Sequence, residues 1–185
     1  NEAVTLGFTS PSSTVQILGD PLNLQGFPSV TPGNIYWYNS GACLTATSKN
    51  NITIKNIYFE RANGSLPVAL ALTTCYSWTL QQCVFASVIQ ASVAQSVSLG
   101  LTVDRCIFPW TYLSYSGITI NGATGANYDI ATVIKDCLCV GQAGLLIING
   151  GTVGGVTVTN CTVLSYDQAI RNTSTNTTHK LTVKN

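Results

Sequence analysis

Charge is scarce in this sequence. Asp, Glu, Lys and Arg make up 8% of 185 residues, against roughly 25% in an ordinary soluble domain. The polar surface must therefore be built from Ser, Thr, Asn and Gln, which suits strands and turns, whereas helix surfaces draw on Glu, Lys and Arg. Eight basic and seven acidic residues leave a net charge of +1. With no cluster of Lys and Arg, contact with nucleic acid or an anionic membrane has no electrostatic footing. No apolar run approaches the roughly 20 residues of a membrane-spanning helix, so membrane insertion is not expected.

Methionine is absent, the first residue is Asn1, and no signal peptide is visible. The expectation is an excerpt of a longer polypeptide or a processed product. The single His179 lies in a Thr/Asn-rich stretch without a Ser-His-Asp pattern. Glycosylation sequons occur at Asn51, Asn63, Asn160, Asn172 and Asn176. In a chain so rich in Asn and Thr they are read as chance matches. The length fits one domain over 1–185, with irregular opening coils over 1–41 and regular coils over 42–185.

What the chain does have is a restated phrase. "NITIKNIYF", "SWTLQQCVF" and "GLTVDRCIF" follow one another with the same apolar spacing. Aligning the third apolar position gives Ile54, Leu80, Val103, Ile134, Val158 and Val183, separated by 26, 23, 31, 24 and 25 residues. A loose period near 25 indicates stacked structural units. Within each phrase the apolar residues alternate, break at one or two positions, and alternate again, which predicts two short strands meeting at a corner. The corner position holds Asn56, Gln82, Arg105, Asp136, Asn160 and Asn185. Asn and Asp accept left-handed backbone conformations, and Asn56, Asp136 and Asn160 are candidates for a side-chain ladder along the stack.

The next position holds Ile57, Cys83, Cys106, Cys137 and Cys161. The four cysteines are predicted to face inward as a rank of small buried hydrophobes. Their one-per-coil spacing lacks the convergent C-x-x-C pattern of a metal site, so no metal and no cofactor are expected. A disulfide between neighbouring coils is geometrically conceivable at ~4.8 Å, but packed thiols are the expectation, and with them folding in a reducing compartment. Cys139 falls at the position of Phe59, Phe85 and Phe108.

Third strands are predicted near 42–46, 68–72, 88–93, 118–121, 145–149 and 169–172. Three short strands per turn and about 25 residues per turn describe an all-β, right-handed, single-stranded parallel β-helix. The longer connections fall after Phe59, after Phe108, over 122–131 and over 173–180, and loops on solenoids are where function concentrates.

"TVQILGDPLNLQG" followed by "ACLTATSKNNITIKNIYF" resembles the opening coils of the pectate-lyase-like parallel β-helix superfamily, and "GLTVDRCIF" and "GVTVTNCTV" are similar to its later coils. The resemblance spans nearly the whole chain and is specific for fold. Among its members the chain looks most like a bacteriophage tailspike or tail-fibre segment. That implies a homotrimer, contact with other virion proteins, and a virion location after assembly in bacterial cytoplasm. A host surface polysaccharide is the implied receptor.

Chemistry is harder to find. Of the seven acids, Asp104 and Asp136 sit in adjacent coils beside Arg105 and Lys135, which reads as a surface ion-pair ladder. Glu60 and Asp167 lie four coils apart, about 19 Å, too far to share one water between them. Asp129, placed in the 122–131 loop beside Tyr128, and Glu60 are weak candidates for a sugar-facing acid. The alternative function is therefore a polysaccharide depolymerase with its site shared with missing segments or a neighbouring subunit. The calcium-binding aspartate cluster of pectate lyases has no counterpart. Trp110, Tyr112, Tyr115 and Tyr128 are candidates for stacking on sugar rings, as are Tyr36, Trp37 and Tyr38; each could equally pack at a subunit interface. An outward threonine rank (Thr53, Thr79, Thr102, Thr157, Thr182) resembles an ice-binding array, but the neighbouring charged rank would spoil its flatness.

Overall fold

A computed structural model of the 185-residue chain describes residues 4–5, 15–18, 36–39, 44–61, 68–86, 88–93, 100–111, 116–122, 128–141, 144–149, 153–173 and 181–185. These form three parallel sheets and no helix. The first sheet stacks Val4–Thr5, Leu44–Thr47, Val68–Thr73, Val88–Val93, Ile118–Gly122, Leu146–Asn149 and Ile170–Asn172. The second stacks Val15–Leu18, Asn50–Lys55, Tyr76–Gln81, Leu101–Asp104, Tyr128–Lys135, Val153–Thr159 and Leu181–Lys184. The third stacks Tyr36–Asn39, Tyr58–Arg61, Val84–Phe85, Ile107–Thr111, Leu138–Gly141 and Thr162–Ser165. The chain visits the sheets in rotation, one strand of each per coil, so the architecture is a parallel β-helix. The right-handed sense is the one that twisted parallel strands favour in their crossovers.

Register along the stack follows the sequence repeat. Ile17, Ile54, Leu80, Val103, Ile134, Val158 and Val183 pair one to the next through the second sheet. Ile54, Leu80, Val103 and Ile134 are completely buried, and Val158 nearly so. Val183, in the last strand of the same file, is 61% exposed because no described strand lies over it. The first sheet contributes the buried file Leu44, Leu70, Ile89, Ile118 and Leu146. The third contributes Phe59, Phe85, Phe108 and Cys139. Three files converge on one interior, and that continuous burial is the main source of stability in a solenoid.

The corners explain why the repeat tolerates so many residue types there. Asn56, Gln82, Arg105, Asp136 and Asn160 all have φ between 50 and 58°. Their N–H groups donate to Gln81, Asp104, Lys135, Thr159 and Lys184 of the next coil at 2.9–3.2 Å. Two residues on, the N–H groups of Val84, Ile107, Leu138 and Thr162 donate back to Ile57, Cys83, Cys106 and Cys137 of the preceding coil at 2.9–3.1 Å. The bend thus keeps its backbone hydrogen bonds on both sides. Gln and Arg, poorer left-handed residues than Asn, are held there by the ladder.

A second left-handed column was not anticipated. Asn51, Ser77, Gly100, Ala131 and Gly155 have φ of 58, 53, 45 and 74° at Asn51, Gly100, Ala131 and Gly155, and 57° at Ser77. Each lies three positions before the central file residue of its coil, so the kink is stacked too. It re-aims the chain into the second sheet.

Strand ends differ from expectation in three places that matter for function. Glu60 lies in Tyr58–Arg61, Trp110 in Ile107–Thr111, and Asp129 with Tyr128 in Tyr128–Lys135. The sequence reading places all three in or beside the longer connections. Tyr128 and Asp129 instead pair with Val153 and Gly154, because a β-prone run next to an existing edge gains ladder hydrogen bonds by extending.

Candidate functional site

The second sheet carries its polar groups in two outward ranks. One runs Gln16, Thr53, Thr79, Thr102, Val133, Thr157 and Thr182, and the other Leu18, Lys55, Gln81, Asp104, Lys135, Thr159 and Lys184. At the centre of the second rank Asp104 is surrounded. Arg105 donates from Nε to Oδ1 at 3.2 Å and from Nη2 to Oδ2 at 3.1 Å. Gln81 Nε2 donates to Oδ2 at 3.0 Å, and Lys135 Nζ lies 3.8 Å from Oδ2. Burial pushes this carboxyl up, but the hydrogen bonds of Arg105 and Gln81 and the charges of Arg105 and Lys135 outweigh it and hold the group below the usual carboxylate range. An acid so neutralised is a poor proton donor or base at neutral pH. It ties three coils together instead.

Asp136 is exposed at the next corner, where Asn160 Nδ2 donates to its Oδ1. Asn56 is buried at the corner of an earlier coil. Asp167 is exposed, its carbonyl accepting from Ser165 Oγ at 3.1 Å.

Glu60 and Asp129 belong to different sheets: Glu60 pairs in register with Tyr38, and Asp129 with Gly154. The topology therefore does not bring them together on one face. Trp110 stands in the third sheet and Tyr128 in the second. Tyr112, Tyr115, His179 and Asp20 lie outside the described residues. Tyr36, Trp37 and Tyr38 form the strand that pairs with Tyr58, Phe59 and Glu60.

One surface was missed in the sequence. One rank of the third sheet is apolar over four coils: Tyr58, Val84 (buried), Ile107 and Leu138 pair one to the next before the rank turns polar at Thr162, and Val140 pairs with Leu164. Tyr58, Ile107, Leu138 and Val140 are half-buried, and Leu164 is 61% exposed. The signal was present as unbroken apolar runs such as "CVF", "CIF" and "CLCV", in which the residue between two inward side chains is not polar.

The cysteines form an interior file. Cys83, Cys106 and Cys137 are buried, and Cys161 is half-buried. Each thiol has two carbonyl acceptors within reach of its one proton, that of the residue two before it and the central-file carbonyl of the preceding coil. Those coil-to-coil acceptors are Ile54 for Cys83, Leu80 for Cys106, Val103 for Cys137 and Ile134 for Cys161, at 3.5–3.8 Å. Cys75 repeats the arrangement at another corner, with the Ala46 and Thr73 carbonyls each 3.4 Å from its sulfur. Successive cysteines are neighbours along the file, and the backbone N–H of Cys137 lies 3.5 Å from Cys161 Sγ. Burial and the Cys83 bond push Cys106 well up, while Cys83 is lowered by the bond from Cys106. Among the described residues no group of three or more His, Cys, Asp or Glu side chains is placed to hold a metal ion.

No known protein family, curated protein or solved structure matches this chain. The parallel β-helix therefore stands on the coordinates themselves.

Proposed function

We propose that this chain is a rigid shaft segment of a bacteriophage tailspike or tail fibre, assembled side by side as a homotrimer with other virion proteins and touching host surface polysaccharide. The observation that carries the reading is the contrast between the outer faces. The second sheet is covered by hydroxyl and charged ranks, whereas the third carries a lengthwise apolar rank in which Tyr58, Ile107 and Leu138 are half-buried and Val84 is buried. A stripe with the pitch of the coils is matched coil for coil by the same stripe on a second copy. Three in-register sheets around a closed core supply stiffness over about 30 Å, at ~4.8 Å per coil. Uncharged Thr, Asn and Tyr groups provide hydrogen bonds and ring faces suited to sugars. The phage assignment comes from the resemblance of the coils.

The reading is tested by light scattering of the intact protein, with trimer mass expected and a shift toward monomer for Ile107→Lys with Leu138→Lys. A monomeric wild type removes the shaft assignment. Incubation with capsular or O-antigen polysaccharide tests the surface: binding without new reducing ends is expected. Reducing ends that vanish in Asp129→Asn or Glu60→Gln would make the protein a depolymerase.

A further inference from the structure

Taking the polysaccharide contact proposed above as given, we propose that its place is the outer face of the third sheet over the first two coils, where Tyr36, Tyr38, Tyr58 and Glu60 stand together, and that the sugar is uncharged. Strand register makes the juxtaposition. Tyr36 pairs with Tyr58, Trp37 with Phe59 and Tyr38 with Glu60. Phe59 is completely buried and continues through Phe85, Phe108 and Cys139 as the core file of this sheet. Successive residues of a strand alternate between faces, so Tyr58 and Glu60 belong to the face turned from the core, and Tyr36 and Tyr38 with them.

This face changes character along the stack. Beyond the first two coils it is aliphatic, through Val84, Ile107 and Leu138 in one rank and Val140 and Leu164 in the other. That part can be dried against a second copy of the chain. The first part resists drying, because three phenolic hydroxyls and a carboxylate would each need a hydrogen-bond partner. A glycan supplies those partners: its C–H faces lie on aromatic rings while its hydroxyls bond the polar groups between them. Coils are roughly 5 Å apart and alternate residues of a strand roughly 7 Å apart, so the four positions fall within the reach of one or two sugar rings. Two coils beyond Glu60, Pro109 and Trp110 stand opposite Val140 alone, a bulge that brings a further aromatic residue into the rank of Glu60.

Charge decides the class of sugar. Among the described strands of this sheet, Glu60 is the only charged residue on the outer face, since Arg61 falls on the opposite side by the same alternation. A carboxylate accepts hydrogen bonds from sugar hydroxyls and repels the carboxylates of uronic-acid chains. It also has no second acid beside it, because Asp104 and Asp129 belong to the second sheet. Glycoside hydrolysis uses a pair, so this arrangement holds a sugar without cutting it.

The test places the full chain on an array of uncharged hexose oligosaccharides (malto-, cello-, manno- and galacto-series) beside oligogalacturonates. Wild type is expected on an uncharged series and not on the uronates. For the series bound, Glu60→Gln and Tyr58→Ala should each weaken affinity about tenfold or more. In the wild type, carbodiimide labelling of Glu60 should slow about tenfold with sugar at ten times its dissociation constant, as occupancy requires. Preference for the uronates, unchanged affinity in both variants, or an unchanged labelling rate overturns the site while the polysaccharide contact stands. No binding to either kind of sugar removes both. The labelling of wild type decides the site even if a variant folds poorly.

Discussion

Phe59 and Phe85 lie face to face, 26 residues apart in sequence, with ring centroids 4.8 Å apart and planes 5° from parallel. Phe85 meets Phe108 in the same way at 5.4 Å and 15°. The ring spacing is close to the strand spacing, so the pitch of the coils sets the stack and the stack fills the third corner of the core.

Removing the middle ring should therefore open a cavity with rigid walls. Phe85→Ala is expected to cost about 3–5 kcal/mol in denaturant unfolding, and Phe85→Leu distinctly less. A loss below about 1 kcal/mol for Phe85→Ala would show that the site collapses or that the ring is not enclosed.

The second left-handed column makes an opposed pair of predictions. Ala131 holds φ 45° and Gly155, its neighbour in the stack, φ 74°. Ala131→Gly should raise stability by about 0.5–1 kcal/mol, the left-handed cost relieved less the added freedom of the unfolded chain. Gly155→Ala should lower it by at least about 1 kcal/mol. Equal effects of one sign would contradict the conformational explanation.

Close approach of the coils singles out Gly144. A Cβ there would lie 2.0 Å from the Gln168 carbonyl oxygen and 2.3 Å from that of Ala169, both backbone atoms of the next coil. Gly144→Ala should destabilise by about 2 kcal/mol or more, because backbone cannot rotate aside as a side chain can. Hydrogen exchange should quicken first at Leu145, whose N–H donates to Ala169.

Asp104 predicts a pH dependence. Its folded pKa is depressed, so its contribution is full above the unfolded carboxyl value of about 3.9 and is lost as pH falls through the lower folded value. The stability gap between wild type and Asp104→Asn should be widest near neutral pH and close in acid. Added salt should narrow it, since Arg105 and Lys135 are half-exposed, at 50% and 44%. A gap that does not change with pH would mean the carboxylate is not charged in the folded state or gains nothing from its partners.

Amino-acid order alone determined the stacking. A two-residue alternation broken at one corner and restated near every 25 positions leaves one arrangement in which Ile54, Leu80, Val103, Ile134 and Val158 are all buried, and the coordinates pair those residues one to the next. The corner conformations were legible for the same reason, since Asn and Asp mark left-handed turns by their own sterics. Three things were decided only by the tertiary structure. The column of Asn51, Ser77, Gly100, Ala131 and Gly155 has only a broken compositional signature: Asn51, Gly100 and Gly155 favour the left-handed kink, whereas Ser77 and Ala131 are held in it by the neighbouring coils. The loop positions of Tyr128 and Asp129 became strand because an adjacent edge offered hydrogen bonds, and Trp110 falls at an irregularity inside its strand. And the same residue type, cysteine, was placed at two different corners, Cys75 at one and Cys83, Cys106 and Cys137 at the other, because the turn of the coil and not the side chain decides which carbonyls each thiol meets.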